Sequence, residues 1–565
     1  MSILILYGSE TGTAQDTAES LSREAEMMHL PARVYGLDEF PISNLSDESV
    51  VIFIVSTTGQ GEFPPNMRSA WKFLLRKSLN NTFLENVNVA VLGLGDSSYQ
   101  KYNFAGKKIF RRLIQLGARM MTDLGLADDQ HELGIDGALI PWKNNVFQTI
   151  YNLQIYSTMH EKMDPRVVIQ PKYRFDSNLE DIEDVVEPDY HRLTVIFNNR
   201  VTAENHFQET RLVRFQIDNP AEMRYQPGDV LMVRSDNPEE TVNIAIEALN
   251  LTDETLDKAM SIRTNNKYAR APLYYLVGKI TTLRTCLTKY FDLQQIPKRS
   301  FFEVLSYLSN DETEKERLAE LASPQGLDDF LDYANRCRRT IAETLRDFPA
   351  TAKNLKPDNF FDLFTLIRPR AFSIASAPSD DIVEIIVAKV QYKARMADVR
   401  RGLCSTFISR LKAGDNVFCK VRPGTFKFPA ADVPVVCVGP GTGVAPFRSF
   451  FGERETNNPN SSGILFFGCR GIEKDFYFSN EWERMSCVEV LTAFSRDSEK
   501  KVYVQHKILE FSDKVRNILN KNGRVFVAGS SGDMPKAVTE AINSIVEGWC
   551  EKAEVTGKLQ FETWS

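Results

Sequence analysis

Apolar and polar positions follow three rhythms along the 565 residues. Near the start, apolar runs at 3–7, 50–55 and 89–92 each stop in a loop rich in Gly, Ser and Thr. Those loops read "GSETGTA" (8–14), "STTGQG" (56–61) and "GLGDSSYQKYN" (93–103). Short apolar runs bounded by such loops predict strands. After the first loop, Ala14, Ala18, Leu21, Ala25 and Met28 recur three or four apart, one face of a helix. From Leu193 the rhythm changes to "LTVIFNNRVT", "ETRLVRFQID" and "YQPGDVLMVR", strand-like runs with a PGD turn. Helical spacing takes over from about 238 to 350, in "TTLRTCLTKYFDL" and "DDFLDYANRCRRTIAETLRDF". Strands resume at 368–378 and 382–392. From Val433 strand and helix alternate again, in "VPVVCVGPGTGVAPFRSF", "GILFFGCR", "VEVLTAFSR" and "GRVFVAGSSGDMP".

This pattern predicts an α/β domain over 1–155 and a linker over 156–190 that includes the acidic "NLEDIEDVVEPDY". An antiparallel β-barrel follows over 191–430, interrupted by a helical insertion at about 238–350, and a second α/β domain covers 431–565. An apolar fraction of 43% supports cores for three to four domains of ~150 residues. A net charge of −7 argues against a nucleic-acid protein, which shows a basic face. No run approaches the ~18 apolar residues of a membrane span, and "MSILILYGSE" lacks a signal's charged flank and cleavage site. With the first strand beginning at residue 3, no membrane anchor is expected. Eight cysteines between Cys286 and Cys550 form no CxxC pair, so reduced thiols and a cytoplasmic location are expected. Six scattered histidines give no expected metal site.

Strand, glycine-rich loop and helix in succession make an anion site at the helix start. A triphosphate loop would carry Lys after its second glycine. Here the hydroxyls of Ser9, Thr11 and Thr13 stand instead, which suits one terminal phosphate. In "RPRAFS" (368–373) a cation, a ring and a hydroxyl lie along one strand. In "RGLCSTFISRL" (401–411) a second glycine turn precedes a helical pattern. In "AFSRDSEKKVYVQ" (493–505) Ser495, Arg496 and Lys501 follow a strand end where an NAD site would carry an acidic residue. Cations there favour a 2′-phosphate.

Taken together these segments resemble the diflavin reductases over essentially the whole chain. Residues 1–155 resemble a flavodoxin-type FMN domain. The resemblance implies that Ser9, Glu10, Thr11, Gly12, Thr13 and Ala14 hold the FMN phosphate, and that Ser56, Thr57, Thr58 and Gly59 line the flavin. Leu94, Gly95, Asp96, Tyr99, Tyr102 and Asn103 would close over it, with Asp129 near the ring edge or ribityl chain. Thr58 stands where many relatives carry Tyr, so stacking falls to Tyr99.

The barrel and last domain resemble ferredoxin–NADP reductases. That likeness assigns Arg370 to the FAD pyrophosphate, Phe372 (Tyr in the family) to the flavin face, and Ser373 to its N5 edge, with Ala371 between them. Gly402, Leu403, Cys404 and Ser405 would meet phosphate, and Arg338 would also reach FAD. Thr442 in the 439–443 glycine loop would face NADPH, with Ser495, Arg496 and Lys501 on its 2′-phosphate and Tyr503 and Gln505 at the adenosine end. Trp564 would cover the FAD ring until nicotinamide displaces it, and Glu562 would assist hydride transfer. A family Cys near the nicotinamide is Ala528 here, expected to tune the rate.

The implied route is NADPH to FAD to FMN to a one-electron acceptor. "ILILYGSETGTAQDTAE" and "GLGDSSYQKYNFAGKK" are most similar to the soluble diflavin reductases of cytosolic iron–sulfur protein assembly, which implies an anamorsin-type iron–sulfur protein as acceptor. Asp128, Asp129, Glu132 and Asp136 form a candidate docking edge. Two alternatives stay open: a soluble reductase serving a haem protein or sulfite reduction, and an assembly or signalling scaffold with relic flavin sites. The retained hydroxyls, Arg370 and Arg496 weigh against the scaffold.

Overall fold

The computed structural model describes residues 2–59, 61–99, 101–156, 163–165, 170–177, 181–183, 185–221, 223–265, 275–396 and 398–564. They form two compact units. The first comprises Met1–Glu183, Glu240–Leu287 and Phe291–Leu366; the second comprises Asp184–Glu239, Thr288–Tyr290 and Ile367–Ser565.

The first unit is built on a parallel sheet of β1 (Ile3–Gly8), β2 (Ala32–Gly36), β3 (Val50–Ser56), β4 (Asn88–Gly95), β5 (Arg119–Met120) and β6 (Gly125–Asp128). The order is β2-β1-β3-β4-β5, with β6 also pairing β4. Alternate residues of the apolar runs serve two different cores. Ile3, Ile5, Ile52 and Ile54 meet Ala14, Ala18, Leu21 and Ala25 of helix Thr13–Met27, together with Trp142 and Phe147 of helix Asp136–Asn152. Leu4, Leu6, Phe53 and Val55 meet Met67, Leu74 and the Ala105, Ile109 and Leu113 face of helix Phe104–Gln115. Coverage on both faces is why these strands are apolar throughout. In contrast, β2 is only half-buried along most of its length and reads too mixed to stand out in the sequence.

By compactness the helical insertion falls within this unit. Its helical elements run on past 350, to Leu363. Part of the expected linker is a strand, Tyr173–Ser177, paired antiparallel with Met260–Thr264 of the insertion. Linker residues 157–162, 166–169, 178–180 and 184 lie outside the described residues. The insertion is bonded to the α/β domain by three consecutive side chains. Lys298 donates to the Gly12 carbonyl at 3.0 Å, Arg299 pairs with Asp136, and the Ser300 hydroxyl donates to Asp16 at 2.5 Å.

The second unit opens with an antiparallel sheet in the order Arg370–Ser373, Val230–Val233, Asn416–Arg422, His191–Arg200, Thr210–Ile217, Ile382–Ala388. A bridge between Ile374 and Ile385 joins its two edges and closes the barrel. Leu193, Val213, Phe215, Leu231, Val383 and Val417 fill its interior. Beside it lies a parallel sheet in the order Glu489–Phe494, Gly463–Cys469, Val435–Val438, Arg524–Ser530, Leu559–Trp564. The terminal "LQFETW" is therefore a sheet strand. An ion network ties this sheet's first helix, Ala445–Asn457, to the barrel: Arg448 bonds Glu384 at 2.6 Å and Glu481 at 2.8 Å, and Arg214 bonds Glu384 from the other side.

Candidate functional site

In the first unit, three loops converge at the carboxyl ends of β1, β3 and β4, where open α/β sheets bind ligands. Gly12 adopts a left-handed φ of 100°, which turns the chain into the helix and leaves its first N–H groups directed at the loop. The Ser9 hydroxyl accepts the Gly12 N–H at 3.0 Å, and the Ser9 N–H is held by Asn66 Oδ1 at 2.9 Å. Asn66, unremarkable in sequence, thus pins the loop from 57 residues away. Ser56 Oγ donates to the Gly8 carbonyl, Thr57 Oγ1 accepts from Ala105 N–H, and the Thr57 N–H donates to the Leu94 carbonyl. Thr58 bridges to Glu62, with Gly59 at φ 48° in the turn.

In the third loop, Asn103 is fully buried at φ 55° and its amide donates to the Ala127 carbonyl at 2.9 Å. A side chain at Gly93 or Gly95 would strike it, Cβ to Asn103 Oδ1 being 2.9 and 3.0 Å. Tyr102 donates its hydroxyl to the Leu126 carbonyl, so it anchors the loop and leaves Tyr99, 36% exposed, as the ring at the rim. Asp96 accepts from the Ser98 N–H and hydroxyl. The Asp129 N–H donates to the Gly95 carbonyl, and its carboxyl is pushed above the usual range by burial and by the Asp96 and Asp128 carboxylates. Glu10, Thr11, Thr13 and Ala14 complete the turn into the helix. Hydroxyls and N–H groups around one small turn fit a single phosphate. A cation that bonds this loop, Lys298, comes from the insertion, where local reading had no means to find it.

In the second unit, Arg370 and Ala371 are exposed while Phe372 and Ser373 are half-buried. Phe372 leans on the barrel core, opposite Leu231 of the neighbouring strand. The Ser373 hydroxyl donates to Glu562 Oε1 at 2.8 Å, uniting residues 189 apart. Glu562 reaches that place because Leu559–Trp564 pairs in parallel with Arg524–Ser530, setting Glu562 against Ala528 and Trp564 against Ser530. Trp564 is 37% exposed at the sheet edge. Gly402 caps helix Leu403–Arg410, and Ser405 Oγ fastens it by accepting the Val390 N–H at 3.1 Å. The Cys404 side chain faces the barrel core, and burial pushes its thiol up to about 12 against the pull of nearby Arg370. At this position only the backbone of Cys404 is available to a ligand. Arg338, in the first unit at φ 52°, is not on the element that carries Arg370.

At the last sheet, Gly439 and Gly443 are required by close approach. A Cβ on Gly443 would lie 2.3 Å from the Ala528 carbonyl, and one on Gly439 would lie 2.8 Å from the Gly443 carbonyl. Thr442 and Gly441 form the crest, with open space beside Gly441. The Ser495 and Arg496 N–H groups donate to the Cys469 and Arg470 carbonyls, so two adjacent strand ends present Arg470 and Arg496 together. Arg470 gave no sequence signal of its own. Lys501 and Tyr503 are exposed nearby, and Tyr503 and Gln505 stand at the start of helix Val504–Glu510. A paired-cation crevice over a glycine loop fits a phosphorylated dinucleotide.

Three family models match the chain in order: flavodoxin over 5–142, FAD binding domain over 188–407, and oxidoreductase NAD-binding domain over 437–540. NADPH-dependent diflavin oxidoreductase 1 of Xenopus laevis is 39% identical over 602 residues, spanning 100% of this chain and 99% of that protein. The proteins of the same name from Danio rerio and Schizosaccharomyces pombe are 38% identical over 600 residues and 37% over 560, covering 99% and 94% of their own lengths. The chain belongs to the NADPH-dependent diflavin oxidoreductases. As a member it uses FMN, FAD and NADPH, and it is an oxidoreductase. When bound, such cofactors take a hydride as an electron pair and release electrons singly; the protein supplies binding and orientation. Among the described residues of this diflavin oxidoreductase no helix is long and apolar enough to cross a membrane.

The crevice predicts nucleotide choice in this diflavin oxidoreductase. Arg496→Gln is expected to lower the preference for NADPH over NADH by roughly 10- to 100-fold, the worth of a charged hydrogen bond to phosphate. Steady-state kcat/KM for the two nucleotides checks it, and an unchanged ratio would place selection elsewhere.

Proposed function

We propose that this diflavin oxidoreductase passes single electrons from its FMN domain to an anamorsin-type iron–sulfur protein in cytosolic iron–sulfur cluster assembly, acting in the cytoplasm. In this reading Ser373 and Glu562 act at the hydride-transfer end, and Trp564 covers the ring there. Arg370 and the Gly402–Ser405 turn hold the FAD phosphates, and the Ser9–Ala14 loop holds that of FMN. Support for a protein acceptor comes from the carboxylates at the ends of β4 and β6. Asp96 and Asp128 lie close enough to add to the burial that raises the Asp129 carboxyl, and Glu132 is exposed beside them. Asp136 leaves this docking edge, since it is paired with Arg299. Such a patch steers a basic partner surface and makes the encounter salt-dependent.

The test is anaerobic mixing of NADPH-reduced enzyme with the purified iron–sulfur protein, following the cluster's absorbance. Cluster reduction is expected, with a second-order rate that falls as salt rises. Glu132→Lys is expected to slow that rate severalfold while NADPH bleaches the flavins as before. An oxidised cluster under excess reduced enzyme would defeat the proposed acceptor.

A further inference from the structure

Phe207 lies between the barrel strands His191–Arg200 and Thr210–Ile217, and its ring is 70% exposed. An isolated surface aromatic is ordinary, but this one sits on a braced loop. The Ala203 N–H donates to the Lys474 carbonyl at 2.9 Å, Lys474 Nζ donates to Asn205 Oδ1 at 2.7 Å, and the Arg200 guanidinium holds the Ala203 and His206 carbonyls. His206 is tucked in beside Asp475, Nε2 to Oδ2 being 3.8 Å. The backbone is thus fixed while the ring is left out in solvent. The Arg470 guanidinium stands 4.0 Å from that ring's centroid, and the His206 ring is tilted against it with centroids 4.9 Å apart. Arg470 in turn crowds Arg496, and burial together with that like charge disfavours its protonated form. Two guanidinium groups on adjacent strand ends, close enough to repel, call for an anion, and a flat ring beside them calls for a flat partner.

We propose that Phe207 and Arg470 complete the nucleotide-selecting site, with the adenine ring of NADPH on the solvent-exposed side of Phe207 and its 2′-phosphate shared between Arg470 and Arg496. This rests on Arg496 meeting the 2′-phosphate and adds a residue from the barrel and a second cation to it. Arg470 does two jobs: it stiffens the aromatic shelf by cation–π contact and bonds the phosphate. The adenine end is then gripped from both the barrel loop and the last domain.

Calorimetric titration of the flavin-loaded full chain with 2′,5′-ADP and with 5′-AMP separates the contributions. Phe207→Ala should weaken both ligands about tenfold, since base stacking does not depend on the 2′-phosphate. Phe207→Trp should preserve affinity and have its fluorescence quenched by either ligand. Arg470→Gln should weaken 2′,5′-ADP about tenfold or more and change 5′-AMP far less. Equal binding by Phe207→Ala and the parent, or an unquenched Trp, would overturn the adenine shelf. Equal loss of both ligands in Arg470→Gln would overturn the shared phosphate. Should Arg496→Gln alone lose 2′,5′-ADP while these variants bind normally, the proposal fails and the simpler phosphate site stands.

Discussion

Ser373→Ala and Glu562→Gln are each expected to slow flavin bleaching by NADPH about 10²-fold, the low end of what a positioned polar group contributes to proton or hydride chemistry. Their hydroxyl and carboxylate share a 2.8 Å hydrogen bond across 189 residues, between a barrel strand and the last strand of the parallel sheet. Removing either partner leaves the other misdirected, so the double variant should be little worse than either single one. Ser373 is half-buried and Glu562 sits on a paired strand, so neither substitution is expected to unfold the chain. Stopped-flow absorbance measures the bleaching rate, and FAD content by release and fluorescence confirms loading. Fully additive losses would show that the two groups act separately; undiminished rates would remove both from the reaction.

A second large effect concerns integrity. Glu384 is 2% exposed and receives Arg448 and Arg214, while Arg448 also donates to the Ala375 carbonyl and to Glu481. Breaking a buried pair strands a charge and costs about 3–5 kcal/mol. Arg448→Met is therefore expected to lower the melting temperature of the FAD-containing unit by roughly 10 °C. The charge-removing Glu384→Leu/Arg448→Met variant should recover part of that loss. Differential scanning fluorimetry reading FAD release checks both. A melting temperature within a degree of the parent would mean that the network carries no net stability.

Much of this protein could be read locally. Apolar runs ending in Gly, Ser and Thr loops located β1, β3 and β4, because a strand covered on both faces has no polar positions to interrupt it. Alanine spacing located the first helix, and the Ser9–Ala14 loop lies where the first strand meets it, all within the first 28 residues. The glycine loop of the last domain and the Arg496 strand end were legible for the same reason: each is a single turn whose geometry and chemistry share one segment.

Other features needed distant segments to meet. Asn66 on the Ser9 loop, Lys298 at Gly12, Phe207 against Arg470 and Ser373 against Glu562 all join residues from separate elements. The strand Leu559–Trp564 is half-exposed and mixed in pattern, and became a strand only by pairing beside Arg524–Ser530. The grouping of the insertion with the first domain rests on Lys298, Arg299 and Ser300, ordinary polar residues until the chain returns to residues 12, 16 and 136. Sequence alone therefore determined the order of the domains and the polar groups each loop offers, since periodicity and turn residues are properties of short stretches. Tertiary structure decided which side chains complete each site, because a hydrogen bond or ring contact depends on distance in space, which spacing along the chain does not encode.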